Sequence, residues 1–267
     1  MNIKRGCSIR RVFVNSQLEI KSRFVKERVF RFKRFSVAHS RSAMKVGVDG
    51  VLVGAWADVS GAKSILDAGC GCGLIALMCA QRNETAAVDA VEVDSEAAAE
   101  AADNFRTSPW AERLTVFCAD INELKLPLKG GYDRIVSNPP FFDSGVTQID
   151  TGRQLARHVS TFSPVSLIVA AGRLLADGGR LTMIFPREDY EKIAEEAKQR
   201  GFAVSRVCHV RGREDRPVKR TLCELRRAVA SETAVAESVA DLLTLEISPG
   251  IPTQEYQALC KDFYLKF

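Results

Sequence analysis

From Lys63 onward the chain alternates short apolar runs with helix-forming stretches, and that alternation restricts its fold more than any other feature of the 267 residues. Residues 64–68, 87–93, 114–118, 132–136 and 180–185 read as strands. Residues 74–81, 95–105, 164–175 and 188–200 read as helices, with Ser95 as a natural N-cap for the second. Strands separated by helices predict a parallel sheet covered on both faces. Two later strands, 202–210 and 220–226, break the rhythm. Only the charged stretch 211–217 separates them, which leaves no room for a crossover helix and predicts an antiparallel hairpin closing the sheet.

At the first strand-to-helix junction stands Asp67-Ala68-Gly69-Cys70-Gly71-Cys72-Gly73. Alternate glycines let a backbone approach a ligand closely and adopt angles that other residues avoid. The spacing departs from the Gly-x-Gly-x-x-Gly dinucleotide pattern, and no lysine follows to make a phosphate loop. Glu92 closes the next strand about 20 residues on, where a carboxylate can accept hydrogen bonds from both hydroxyls of a ribose. Asp120 follows the third strand and has two readings: a ligand contact at the sheet's carboxyl edge, or the cap of a helix starting near Ile121.

Asn138-Pro139-Pro140-Phe141 follows the fourth strand. Each proline locks its own φ and pushes the preceding residue to extended backbone, so the turn is rigid. Such a turn can hold the Asn138 side-chain oxygen and the Pro139 carbonyl as two aimed acceptors. That pair suits an –NH2 group, which has two hydrogens to offer. Phe141 adds a face on which a flat base can stack.

Charge is unevenly spread. Residues 1–45 hold thirteen lysines and arginines against Glu19 and Glu27, a net +11 in a chain whose total is +5, so the remainder sums to −6. A basic arm on a mildly acidic body fits a polyanion partner, and fits a solvated tail equally well. Within it, Phe30, Phe32 and Phe35 interleave with Arg31, Lys33 and Arg34. This is either a strand showing phosphates its basic face or simply any half-buried strand. Lys33, Arg34, His39, Arg41 and Lys45 are candidate contacts for such a polyanion, as are Arg153, Arg157 and His158 downstream of the proline turn. Arg211, Arg213, Arg216, Lys219 and Arg220 crowd the hairpin. No run approaches the roughly 18 apolar residues of a membrane span, and no signal-peptide core follows the basic start, so a cytoplasmic chain is expected. Cys70 and Cys72 have no second pair at zinc-like spacing, and the three histidines are scattered, so no metal is expected.

The order of glycine turn, Glu92, Cys118-Ala119-Asp120 and Asn-Pro-Pro-Phe resembles the S-adenosylmethionine-dependent methyltransferases over about residues 63–227. The resemblance implies an α/β, Rossmann-like seven-stranded sheet with helices on both faces. It also implies S-adenosyl-L-methionine held by Asp67, Gly69, Gly71, Gly73, Glu92, Asp120 and Asn138, with Glu92 on the ribose and Asp120 on the adenine ring. Asn138, Pro139 and Phe141 become the catalytic group for an amino acceptor. Phe30–Phe35, residues 43–56, Ser108–Arg113 and Phe263–Leu265 further resemble the bacterial tRNA1(Val) adenine-N6 methyltransferases, which act on adenine 37 beside the anticodon. This likeness covers about 29–267, with 29–60 as a substrate-binding segment of a single domain, and leaves 1–28 outside as a basic extension. Val48 stands where that family usually has threonine. Guanine-N2 methylation of RNA, glutamine-N5 methylation of protein, and an inactive RNA-binding chain are the competing readings.

Overall fold

The computed structural model describes residues 10–11, 28–124, 130–140, 162–227 and 240–267, the first pair by backbone alone. Its strands are β1 (Arg10–Arg11), β2 (Val29–Arg31), β3 (Ser36–Ala38), β4 (Ser64–Ala68), β5 (Ala87–Glu92), β6 (Leu114–Cys118), β7 (Tyr132–Ser137), β8 (Leu175–Pro186), β9 (Phe202–Arg211), β10 (Val218–Arg227), β11 (Asp241–Thr244), β12 (Glu246–Ser248) and β13 (Ile251–Pro252). The helices are α1 (Val48–Trp56), α2 (Leu74–Arg82), α3 (Ser95–Arg106), α4 (Pro164–Leu174), α5 (Tyr190–Gln199) and α6 (Gln254–Cys260).

One sheet dominates, in the order β1-β6-β5-β4-β7-β8-β10-β9-β11. Seven of these strands are the expected set; the sheet has nine. Arg10–Arg11 adds antiparallel to one edge and Asp241–Thr244 adds parallel to the other. A two-residue strand, and a four-residue strand that buries only Leu243, leave no periodic signature in a sequence. The hairpin forms as expected, but β10 lies inside it against β8, and β11 rather than β9 ends the sheet.

β4 is buried at all five positions, as a central parallel strand must be. Cores lie on both of its faces. One packs α1, α2, α3 and α6 with Phe32, Phe35 and Val37 of the N-terminal segment. The other packs α4 and α5. Residues 30–35 are not one strand: β2 ends at Arg31 and 32–35 turn back into β3, closed by the Phe32 N–H donating to the Phe35 carbonyl at 2.8 Å. Phe32 and Phe35 are buried and stacked at 4.7 Å, Phe30 is half-buried, and Arg31, Lys33 and Arg34 are exposed. α3 begins after Asp94, whose carboxylate accepts from the Ala97 N–H at 2.8 Å, so Asp94 and not Ser95 is the cap. Both residues are good caps, and only the backbone turn leaving β5 chooses between them.

β4, β5, β6, β7 and β8 are mutually parallel, so everything following them gathers at one edge. The chain moves outward through β5 and β6 on one side of β4 and through β7 and β8 on the other. The crevice at β4/β7 is thus the switch point where open α/β sheets bind ligands.

Candidate active site

The glycine turn leaves β4 with Gly69, Gly71 and Gly73 all at positive φ (70°, 52° and 82°). Gly69 and Gly73 are also packed from behind. A Cβ on Gly69 would stand 2.4 Å from the Phe162 ring, and one on Gly73 would stand 2.5 Å from Phe105. Gly71 differs, since a Cβ there would meet nothing within 4 Å. The turn is closed on its protein side and open on the other, the shape of a cradle.

Glu92 reaches this turn directly. One carboxylate oxygen accepts from the Gly71 N–H and the other from the Asp94 N–H, each at 2.9 Å. Burial raises its pKa against the pull of those two donors. Each oxygen keeps lone pairs for a diol. Asp67 is fully buried; Oδ2 accepts from the Ala76 N–H at 2.9 Å, while Oδ1 has no partner among the described residues. Burial pushes its pKa up to about 7, and the nearby Glu92 charge adds to the rise. Burial likewise pushes the Cys70 thiol well above its ordinary value and Cys72 to about 12, so both stay protonated at neutral pH. Asp120 Oδ1 accepts from the backbone and side-chain N–H groups of Asn122 at 2.8 and 2.9 Å. It shapes a turn at 121–123 rather than a helix.

Asn138 leaves β7 with its Oδ1 buried and without a hydrogen-bond partner among the described residues. A buried carbonyl oxygen with nothing to accept costs stability, so its retention needs a reason. Ser137, immediately before it, is fully buried and donates from Oγ to the Ala68 carbonyl at 2.7 Å. Backbone pairing of β4 with β7 stops at Asp67–Val136, and this side chain carries the join one residue further. The first residue of the proline turn and the first glycine of the cradle are thereby held side by side. At about 4.8 Å per strand, Asn138 and Glu92 issue from strand ends roughly 10 Å apart.

The expected RNA contacts divide. Lys33 Nζ donates to the Lys261 and Phe267 carbonyls at 2.6 and 2.8 Å, and Arg34 lies over Trp110. Both sit by the C-terminal end of α2, beside a cleft of about 530 Å³ at the sheet's opposite edge. Arg41 pairs with Asp103, Lys45 donates to the Ser40 and Ser42 carbonyls, and His39 Nδ1 accepts from the Val46 N–H. This stretch climbs toward the cradle and is pinned by two buried side chains of α3. Glu100 accepts from the N–H groups of Ser40, Arg41 and Ser42 and from the Ser42 hydroxyl. Asn104 accepts from the Ala38 N–H and donates to the carbonyls of Ala38 and Cys72. Phe141, Arg153, Arg157 and His158 lie outside the described residues. Ser137, Glu100 and Asn104 carried no signal in the sequence, because each works through partners far away in the chain.

A family model described as Methyltransferase small domain matches residues 50–200. The chain is 44% identical over 237 residues to the tRNA1(Val) (adenine(37)-N6)-methyltransferase of Parabacteroides distasonis, covering 89% of this chain and 98% of that one. It belongs to that family. The protein of the same name from Serratia proteamaculans is 41% identical, covering 88% and 89% of the two chains. Among solved structures, an Agrobacterium tumefaciens protein described as a predicted O-methyltransferase superposes with a TM-score of 0.58 at 20% identity, covering 80% of this chain and 96% of that one. Pyrococcus horikoshii TYW2 in complex with MeSAdo gives 0.52 at 16% identity, over 74% and 70%. At these identities the superpositions speak for the fold alone. Family membership makes this chain an S-adenosylmethionine-dependent methyltransferase. The cradle fits that cofactor: Gly71 is open, Glu92 offers a carboxylate to a diol, and Asp67 Oδ1, two residues before the first glycine, is a buried acceptor with no partner among the described residues. Among the described residues no helix is long and apolar enough to cross a membrane.

Proposed function

We propose that the chain methylates N6 of adenine 37 in tRNA1(Val), the reaction for which its relatives are named. The observation that carries the proposal is the Asn138 Oδ1 at the switch point, buried and unpartnered among the described residues, in a turn stiffened by two prolines and joined to the cradle through Ser137. Bound S-adenosylmethionine supplies an electrophilic methyl on a sulfonium. The work of the chain is to hold and polarise the acceptor. Asn138 Oδ1 and the Pro139 carbonyl each accept one N–H of the amine, which draws its lone pair out of conjugation with the ring and fixes its direction. As the C–N bond forms and the methyl–sulfur bond breaks to leave a neutral thioether, positive charge on N6 meets these two carbonyl dipoles, which cost no reorganisation at that moment. N6 then releases one proton to solvent to give the neutral methylamine. Phe141 stacks on an adenine turned out of the anticodon loop. Glu92 takes the cofactor's ribose hydroxyls, Asp120 its adenine, and the backbone of Gly69, Gly71 and Gly73 its remaining polar edge.

The partner is tRNA, met in the cytoplasm. Residues 29–60 form the substrate-side segment of a single domain over 29–267, and Arg153, Arg157 and His158 meet phosphates. Labelled cofactor incubated with tRNA lacking the modification, followed by nucleoside analysis, tests the reading. N6-methyladenosine at position 37 is expected; N2-methylguanosine, or label in protein glutamine, overturns it.

A further inference from the structure

We propose that the β9–β10 turn and the β12–β13 hairpin together form a lip that grips the tRNA beside the reacting base, a surface resting on the tRNA reading above. β9 runs parallel to β11 and antiparallel to β10, which is itself antiparallel to β8. The C-terminal end of β9 therefore emerges at the same edge as Asn138, and the turn 212–217 stands above it. Three strand spacings separate β9 from β7, roughly 14 Å. The small hairpin is fastened to this turn. Leu245 and Glu246 donate from their N–H groups to the carbonyls of Arg211 and Gly212, at 3.0 and 2.8 Å, and Arg211 Nε donates to Thr244 Oγ1 at 2.8 Å.

Two features of this lip are largely unmatched among the described residues. Ile247 and Ile251 are 70% and 56% exposed, on facing strands of a hairpin whose turn is Pro249-Gly250. Beside them, residues 211–220 carry five cations against Glu214 and Asp215. Arg220 is matched by Asp49, but Arg213 and Arg216 share the single carboxylate of Asp215, at 3.3 and 3.7 Å. Lys219 is exposed, and Glu246 is the only acid the hairpin strands contribute. The surplus positive charge selects a polyanion, and exposed aliphatic side chains within it select one with unpaired bases or bare ribose edges rather than a uniform duplex. An anticodon loop offers both.

The test measures binding of an unmodified tRNA transcript to the full-length chain by fluorescence anisotropy across a salt series, with cofactor affinity by calorimetry confirming the fold of each variant. Ile247→Ser with Ile251→Ser is expected to weaken RNA binding about tenfold while leaving the salt slope unchanged. Arg216→Gln with Lys219→Gln is expected to make the log–log slope shallower by about one per lost phosphate contact. Variants that bind RNA as the wild type does, at every salt concentration, overturn the lip and leave the tRNA reading intact. So does an isoleucine pair whose replacement shifts the free protein from dimer to monomer in sedimentation without touching RNA affinity, since the patch then serves a second copy. A wild-type chain that binds no tRNA overturns both readings.

Discussion

Asp67 in the cradle and Glu100 in the N-terminal anchor are both buried carboxylates, with 0% and 1% of their surface exposed, yet they are held in opposite ways. Glu100 accepts four hydrogen bonds from Ser40, Arg41 and Ser42. Burial works against its charge, but these donors outweigh it and lower its pKa. Asp67 accepts one bond from Ala76, keeps an oxygen without a partner among the described residues, and rises to about 7. A saturated carboxylate clamps two pieces of chain together. One left short of donors keeps acceptor capacity that the described residues do not use. Asn138 falls on the Asp67 side of this division, and Asn104, with its amide fully used, on the Glu100 side.

The comparison breaks most visibly at Asn138. Asn138→Ala is expected to lower kcat about a hundredfold while cofactor affinity stays within a few-fold, because an acceptor aimed at the transition state is lost. Near wild-type turnover of unmodified tRNA would remove Asn138 from the mechanism.

Glu100→Ala should act on stability instead. It strands the buried Ser42 N–H at about 1–3 kcal/mol and the half-buried N–H groups of Ser40 and Arg41 at less, so chemical denaturation should show a loss of about 3 kcal/mol. A variant as stable as the wild type would show that the anchor does not depend on this carboxylate.

The two acids also predict opposite pH dependences. A lowered folded-state pKa gives Glu100 a contribution present above the ordinary glutamate value near 4.5 and lost as pH falls through the folded value. A raised one gives Asp67 a contribution present below its ordinary 3.8 and lost as pH climbs to about 7. Denaturation of the cofactor-free chain between pH 4 and 7 should therefore show a destabilising slope that Asp67→Asn removes. An unchanged slope in that variant would mean that Asp67 is already ionised at pH 4.

Ser137→Ala should give a smaller effect, about five- to tenfold in kcat/KM, by stranding the Ala68 carbonyl and loosening the join between the proline turn and the cradle. Ser137→Thr should restore most of it. Failure of threonine to rescue, with stability intact, would argue that the hydroxyl does not position the turn. Smallest of all, Lys33→Gln should leave the salt dependence of RNA binding unchanged, because its ammonium is occupied by two carbonyls at the far edge. A shallower slope there would extend the RNA surface to that edge.

Much of the candidate site's backbone geometry is legible in the sequence. Gly69, Gly71 and Gly73 are needed at positive φ, and Pro139 and Pro140 stiffen a turn; both are local rules acting over two or three residues. The alternation from Lys63 placed the helices on the two faces, and the parallel sheet then carried the glycine turn, Glu92, Asp120 and Asn138 to one edge. The basic residues were the poorest guide. Charge count put Lys33, Arg41 and Lys45 with the RNA contacts, whereas their side chains are engaged by carbonyls or Asp103.

What the sequence determined by itself was backbone chemistry: where the chain must turn, which turns are rigid, and which residue types stand at them. What only the tertiary structure decided was which polar groups are already satisfied. Ser137 reaches Ala68 across 69 residues, and the Ser40 N–H reaches Glu100 across 60. A hydrogen bond is earned by proximity in space, which no local pattern encodes. That Asn138 Oδ1 is buried and meets no donor among the described residues could be recognised only from the placement of its neighbours in space.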